Sequence, residues 1–242
     1  MLAPEINTFR KEVGLPEVNH IFSKWAHSPQ KVIGLFPEWF AAPPPDWPSQ
    51  TQLTGFISFD AAEEKPLPKE VLNFLEAGEP PVIFTPGTAM LHGKQFFQAS
   101  IEACKLLKRR ALLLTTHTAH LPAQLPEGTA HFDYLPFSAL LPHAAALVHH
   151  GGIGTAIQAL AAGIPQLVRP MNYDQPDNAA RLERLGVAVS LSPAKYRGPE
   201  VTRNLKYLLS SPSVRENCQR WAEQVDFSSA LQKSCLAIEQ VI

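Results

Sequence analysis

Leu147-Val148-His149-His150-Gly151-Gly152-Ile153-Gly154-Thr155-Ala156-Ile157-Gln158-Ala159-Leu160-Ala161-Ala162-Gly163-Ile164-Pro165 holds a strand, a turn and a helix in that order. An apolar run ends at His149, Gly151, Gly152 and Gly154 make a turn, and a helical pattern opens at Thr155. The helix closes at Gly163, and Pro165 blocks its continuation. A glycine turn feeding a helix N-terminus suits an anion, because unpaired N–H groups and the positive end of the helix dipole converge there. His150 adds a donor to the same place. The spacing is not that of the dinucleotide fingerprint, since Ile157 stands where its third glycine belongs, and no Gly-Lys-Ser/Thr of a P-loop is present. A plainer reading keeps the glycines as a tight turn, with Thr155 and Gln158 as a capping box.

On either side the chain alternates short apolar runs with helical stretches. Val82–Thr85, Leu112–Thr115, Ala146–His149, Gln166–Arg169 and Val187–Ser190 read as parallel strands covered on both faces. Residues 92–108, 155–162 and 176–185 read as the helices between them. This is the alternation of a doubly wound, Rossmann-like α/β sheet, in which ligands bind beyond the strand carboxyl ends. The expected division is a Pro-rich lead-in over 1–66, the α/β domain over 67–226 and a final helix over 227–242. Leu231, Cys235, Ile238 and Ile242 give that last helix one apolar face, which must pack on something.

The composition is that of a globular protein: 45% hydrophobic, 18% charged and a formal net charge of −1 over 242 residues. Near-neutral charge without a Lys/Arg block argues against nucleic acid as a partner. No apolar run reaches the ~18–20 residues of a membrane span, and the N-terminus lacks the apolar centre of a signal peptide. Cys104, Cys218 and Cys235 are odd in number and far apart, which predicts buried thiols in a reducing cytoplasm. Thirteen of the 23 prolines fall in the first 90 residues. The run from Phe36 to Pro48, with Trp39 and Trp47 among its prolines, reads as an extended segment laid across another surface.

Three further segments open at the same sheet edge. Asp174-Gln175 follows the next strand and suits sugar hydroxyls, although Asp174 read alone is a helix N-cap. Tyr134-Leu135 can offer a ring to stack on a base and a backbone to read its polar edge, or be an ordinary half-buried pair. Gly87-Thr88 forms another small-residue turn, where Thr88 either reaches a phosphate or caps the helix that follows. His117, His120 and His131 raise a metal reading, but a strand end is a poor platform for joint ligands and no metal is expected.

Read in order, Tyr134-Leu135-Pro136, Leu140-Leu141-Pro142-His143, the 149–155 turn, Ala162-Gly163-Ile164-Pro165-Gln166 and Asp174-Gln175 resemble the donor-binding, C-terminal half of GT-B nucleotide-sugar glycosyltransferases. The similarity is to the family of UDP-glycosyltransferases and, within it, to the bacterial antibiotic, macrolide and sterol branch. The resemblance implies diphosphate contacts from His150, Gly151, Gly152, Gly154, Thr155, Gly87 and Thr88. It implies base and ribose contacts from Tyr134, Leu135 and Gln158, and donor-sugar contacts from Asp174 and Gln175. Gln158 replaces the glutamate that many members use for the ribose, and Tyr134 with Phe137 replaces their Trp and Gln, so the choice between UDP and dTDP stays open.

The resemblance also implies inversion at the anomeric carbon by direct displacement, with no cofactor beyond the nucleoside diphosphate sugar as donor. The acceptor pocket and its base histidine belong to an N-terminal half. The chain is therefore expected to be a fragment, inactive alone, whose partner is that acceptor domain. Its ends are expected to expose apolar surface and promote self-association, with membrane contact only for a lipid acceptor. The alternatives are an epimerase-like or different GT-B enzyme and a stand-alone nucleotide-sugar binding module.

Overall fold

The structure, a computed structural model, describes residues 3–60, 66–87 and 93–241. The chain divides into two compact units: Ser58–Val225, and a smaller one formed by Met1–Ile57 with Asp226–Ile242.

In the smaller unit α1 (Ala3–Glu12) leads to two parallel strands, β1 (Val32–Gly34) and β2 (Thr51–Leu53). The Pro-rich run joins them. Proline has no N–H for a ladder, so this connection is held by rings instead: Trp39 and Phe40 meet Phe56 edge-on, with centroids 5.7 and 5.0 Å away. Phe40 and Phe56 are buried, whereas Phe9, Phe22 and Trp25 are exposed.

The larger unit runs α2 (Lys69–Glu76), β3 (Val82–Thr85), α3 (Gly93–Leu107), β4 (Ala111–Leu114), β5 (Thr129–Phe132), α4 (Phe137–Leu140), β6 (Ala146–His149) and α5 (Ile153–Ala161). It continues through β7 (Gln166–Val168), α6 (Gln175–Arg184), β8 (Ala188–Ser190), α7 (Gly198–Ser210) and α8 (Pro212–Ala222). Six strands form one parallel sheet in the order β5-β4-β3-β6-β7-β8. The uninterrupted apolar runs are the reason: Val82, Ile83, Phe84, Leu112, Leu113, Leu147 and Leu167 are fully buried, as strands covered on both faces require. The strand order reverses between β3 and β6, whose last residues Thr85 and His149 are in register.

The five strands read from the apolar runs are present, and α3, α5 and α6 lie within two residues of their expected bounds. The helix α7 was not anticipated, because Gly198 and Pro199 open it and polar residues dominate it. Its signal was Val201, Leu205 and Leu208, at helical spacing and buried.

The last helix, α9 (Phe227–Glu239), buries the small residues Ala230, Ser234 and Ala237 within its unit. Ser234 donates its hydroxyl to Thr54 Oγ1 at 2.7 Å, and a Cβ on Gly55 would lie 2.9 Å from Ala230 Cβ. Only small side chains allow so close an approach. Leu231, Cys235 and Ile238 remain exposed, and Ile242 lies outside the described residues. Cys104 and Cys218 are buried as expected, but Cys235 is not. Among the described residues no helix is long and apolar enough to cross a membrane.

Leu147 sits at the centre of this sheet with no exposed surface. Truncation in Leu147→Ala should cost about 2–5 kcal/mol. Urea unfolding followed by circular dichroism should show a lower midpoint with an unchanged slope.

Candidate functional site

Because Thr85 and His149 are neighbours, the turns after β3 and β6 open into one crevice at the reversal of strand order. His150 is the first residue past β6, and its ring lies between two glycines. A Cβ on Gly87 would fall 2.8 Å from the ring, and one on Gly152 2.5 Å from Nε2. Gly87 also has φ +87°, a conformation costly for any other residue. These two glycines make room for the imidazole. Gly154 is different: it is exposed, and a Cβ there would meet nothing within 4 Å.

The N-terminus of α5 is open. Gly152 is its N-cap, with no side chain capping it, so the alternative of a Thr155–Gln158 capping box does not form. The N–H groups of Thr155 and Ala156 turn back to the Gly152 carbonyl at 3.1 and 3.0 Å. Among the described residues no acceptor meets those of Ile153 and Gly154. Two free amides and roughly half a positive charge from the helix dipole therefore face outward together.

They face a cavity of about 390 Å³. Its walls include Gly87, His150, Gly152, Gly154, Thr155 and Gln158, with Tyr134 and Leu135 across from them. Tyr134 is 59% exposed, so its ring is presented to the opening and is not a half-buried core residue. Leu135 is buried. Two buried atoms in the wall, His150 Nδ1 and Gln158 Oε1, have no hydrogen-bond partner among the described residues. Unmet groups beside a cavity are what a polar ligand satisfies.

Burial disfavours a charge on both histidines. Burial, with a lesser push from His150, drives the His149 pKa down to about 3. Burial also lowers that of His150, against the pull of the Asp174 carboxylate. An uncharged imidazole can still donate one hydrogen bond to an anion, and becomes a stronger donor once the anion favours its protonation.

Asp174 stands at the N-cap of α6, yet its side chain makes no cap. Its Oδ2 accepts from Asn178 Nδ2 at 2.8 Å. Gln175 Oε1 accepts from the Met171 and Asn172 N–H groups at 2.9 and 3.4 Å. Gln175 thus has its oxygen committed to its own loop, leaving its amide N–H groups as donors, while Asp174 supplies the acceptor.

Residues 111–230 match the family model of the erythromycin biosynthesis protein CIII-like, C-terminal domain. They are an EryCIII-like C-terminal domain. The chain is 32% identical over 251 residues to O-mycaminosyltylonolide 6-deoxyallosyltransferase of Streptomyces fradiae, across 98% of this chain and 56% of that protein. It is 30% identical over 159 residues to UDP-glucuronosyltransferase 2A2 of Mus musculus, across 64% of this chain and 30% of that protein. The chain thus spans about half the length of the first relative and less of the second. The crystal structure of the glycotransferase of kitacinnamycin superposes with a TM-score of 0.79 at 19% identity, over 97% of this chain and 60% of that one. That likeness shows the fold alone, a parallel α/β sheet matching the C-terminal half of GT-B structures.

Most of the residues singled out from the sequence meet at one cavity: Gly87, Tyr134, Leu135, His150, Gly152, Gly154, Thr155 and Gln158. Asp174 and Gln175 are not among its lining residues; they stand beyond β7, as the N-cap and first residue of α6. Thr88 lies outside the described residues. Gly151 departs from its expected place among the diphosphate donors. It is buried, its N–H donates to His149 Nδ1 at 3.1 Å, and its carbonyl accepts from Asn178. Sequence reasoning missed Asn178, although its place four residues after Asp174 puts both on one helix face. It also gave no role in this cavity to His117 and Asp133, which line it from the ends of β4 and β5.

The glycines allow a direct contrast. Gly154→Ala, in open space at a helical position, should raise the melting temperature by a degree or more, since alanine gains about 0.5–1 kcal/mol there. It should also block anion approach. Gly152→Ala should lower the melting temperature by displacing His150. Scanning calorimetry with and without a nucleoside diphosphate separates the two.

Proposed function

We propose that this chain is the donor-binding half of an inverting glycosyltransferase, which moves a sugar from a UDP- or dTDP-sugar to a hydroxyl acceptor. One observation carries the reading: a histidine and the free amides of a helix N-terminus face the same cavity as an exposed tyrosine. In this assignment the diphosphate meets His150, Gly152, Gly154, Thr155, Gly87 and Thr88. The base lies against Tyr134 and Leu135, and the ribose bonds to Gln158. Asp174 and Gln175 take the sugar as acceptor and donor.

Displacement at the anomeric carbon builds negative charge on the departing diphosphate, and charge that develops in the transition state is where fixed donors lower a barrier. His150 and the α5 amides provide such donors, and we propose that they meet that charge without a bound metal ion. The acceptor's proton must go to a base. We assign that base to a separate acceptor-binding domain, so the chain alone would be inactive. The exposed face of Leu231, Cys235 and Ile238 on α9 is the surface we assign to that domain. The apolar residues left exposed in 1–57 would also favour self-association. Three unpaired cysteines support a cytoplasmic setting.

Calorimetry should show uridine or thymidine diphosphate binding to the chain, and binding lost in His150→Ala; no heat with either nucleotide at millimolar concentration would refute the reading. The pH dependence follows from the lowered His150 pKa. A diphosphate beside the ring favours its protonated form, so binding takes up a proton and affinity should rise as pH falls from about 8 to 6. His150→Gln, measured with the same nucleotide, should lose this slope except for the nucleotide's own titration.

A further inference from the structure

The residue behind the site is as constrained as the one in it. His149 has no exposed surface, and each ring nitrogen has one partner. Nδ1 accepts from Gly151 N–H at 3.1 Å, and Nε2 lies 2.9 Å from Gln166 Oε1. A nitrogen that accepts cannot carry the proton, so the Gly151 N–H fixes the tautomer: Nε2 is protonated and donates to Gln166. Gln166 is also fully buried, so its oxygen cannot turn to water instead.

Past the Gly151 Cα, the next peptide group is held by Asn178. The two protons of Asn178 Nδ2 go to the Gly151 carbonyl at 3.0 Å and to Asp174 Oδ2 at 2.8 Å. Gly151 itself cannot be replaced without strain, at φ +93° and with a would-be Cβ 2.9 Å from Val168 Cγ1. Hydrogen bonds therefore run from Gln166 through His149 to the Gly151 N–H, and from the Gly151 carbonyl through Asn178 to Asp174, with only the Gly151 Cα between the two. Gly151 lies between His150 and the glycine that caps α5, so a rotation of the peptide group before it would swing the imidazole and a rotation of the one after it the α5 amides.

We infer that His149 and Asn178 are positioning residues that clamp the two peptide groups flanking Gly151, one each, and so hold the diphosphate turn in register with Asp174. Neither lines the cavity or is placed against a ligand. Their role rests on the nucleotide-sugar reading above and adds to it the statement that the two halves of the donor site are mechanically joined.

The test uses the whole chain with uridine and thymidine diphosphate as probes. His149→Leu, which removes the acceptor for Gly151 N–H, should weaken nucleotide binding about tenfold in a chain that remains folded by circular dichroism. His149→Asn places an amide oxygen near the Nδ1 position and should recover affinity to within about threefold of the unmodified chain. Asn178→Leu should also weaken binding, although the residue is outside the cavity. Equal losses in the Leu and Asn variants of His149, or no loss in any variant, would overturn the clamp. A second readout needs neither folding of a variant nor a bound nucleotide. Nitrogen NMR of the unmodified chain should find His149 neutral, with a bare Nδ1 and a protonated Nε2, and the Gly151 amide slow to exchange; protonation at Nδ1 would overturn the proposal. If the unmodified chain binds neither nucleotide, the nucleotide-sugar reading fails while the NMR result still decides the clamp.

Discussion

The His150 imidazole can occupy its place only because no side chain exists on either side of it. Gly87 on one strand turn and Gly152 on the next leave a slot about one ring thick, and the pairing of β3 with β6 sets the two turns that far apart. That pairing is itself enforced by burial: the strands that place Thr85 beside His149 are apolar along their length and covered on both faces. The core therefore sets the position of a single ring, and the ring's position sets where an anion can be met.

Electrostatics then act on a prepared geometry. The interior holds His149 uncharged, which makes it a hinge pin for the turn and not a source of charge. His150, nearer the opening, is also lowered by burial, but there the Asp174 carboxylate opposes the shift. Adjacent residues of the same type thus have different tasks because they lie at different depths. The helix N-terminus contributes a charge that does not titrate at all.

Much of this was legible in the order of residues. Apolar runs broken by glycines and separated by helical periods specify a parallel α/β sheet, and the 147–165 stretch carried its strand, turn and helix in that order. The shared cavity of Tyr134, His150, Thr155 and Gln158 follows once the sheet edge is known, since ligands gather where the strand order reverses. Other features were not legible. Gly151 looked like one more phosphate amide, because nothing in the sequence tells that His149 and Asn178 will consume its N–H and carbonyl. The apolar period of α9 pointed to Leu231, Cys235 and Ile238, but close packing chose Ala230, Ser234 and Ala237. Periodicity reports which side chains shun water, whereas contact distance depends on how near two backbones must come.

By itself the sequence determined the class of fold, the edge at which a ligand would gather and the residue types available there, because hydrophobic period and glycine placement are local properties. Only the tertiary structure decided which glycine makes room for the histidine, which leaves space for a ligand and which is locked from both sides. These distinctions depend on atoms brought together from β3, β6, β7 and α6, and no reading along one segment contains the distances between them.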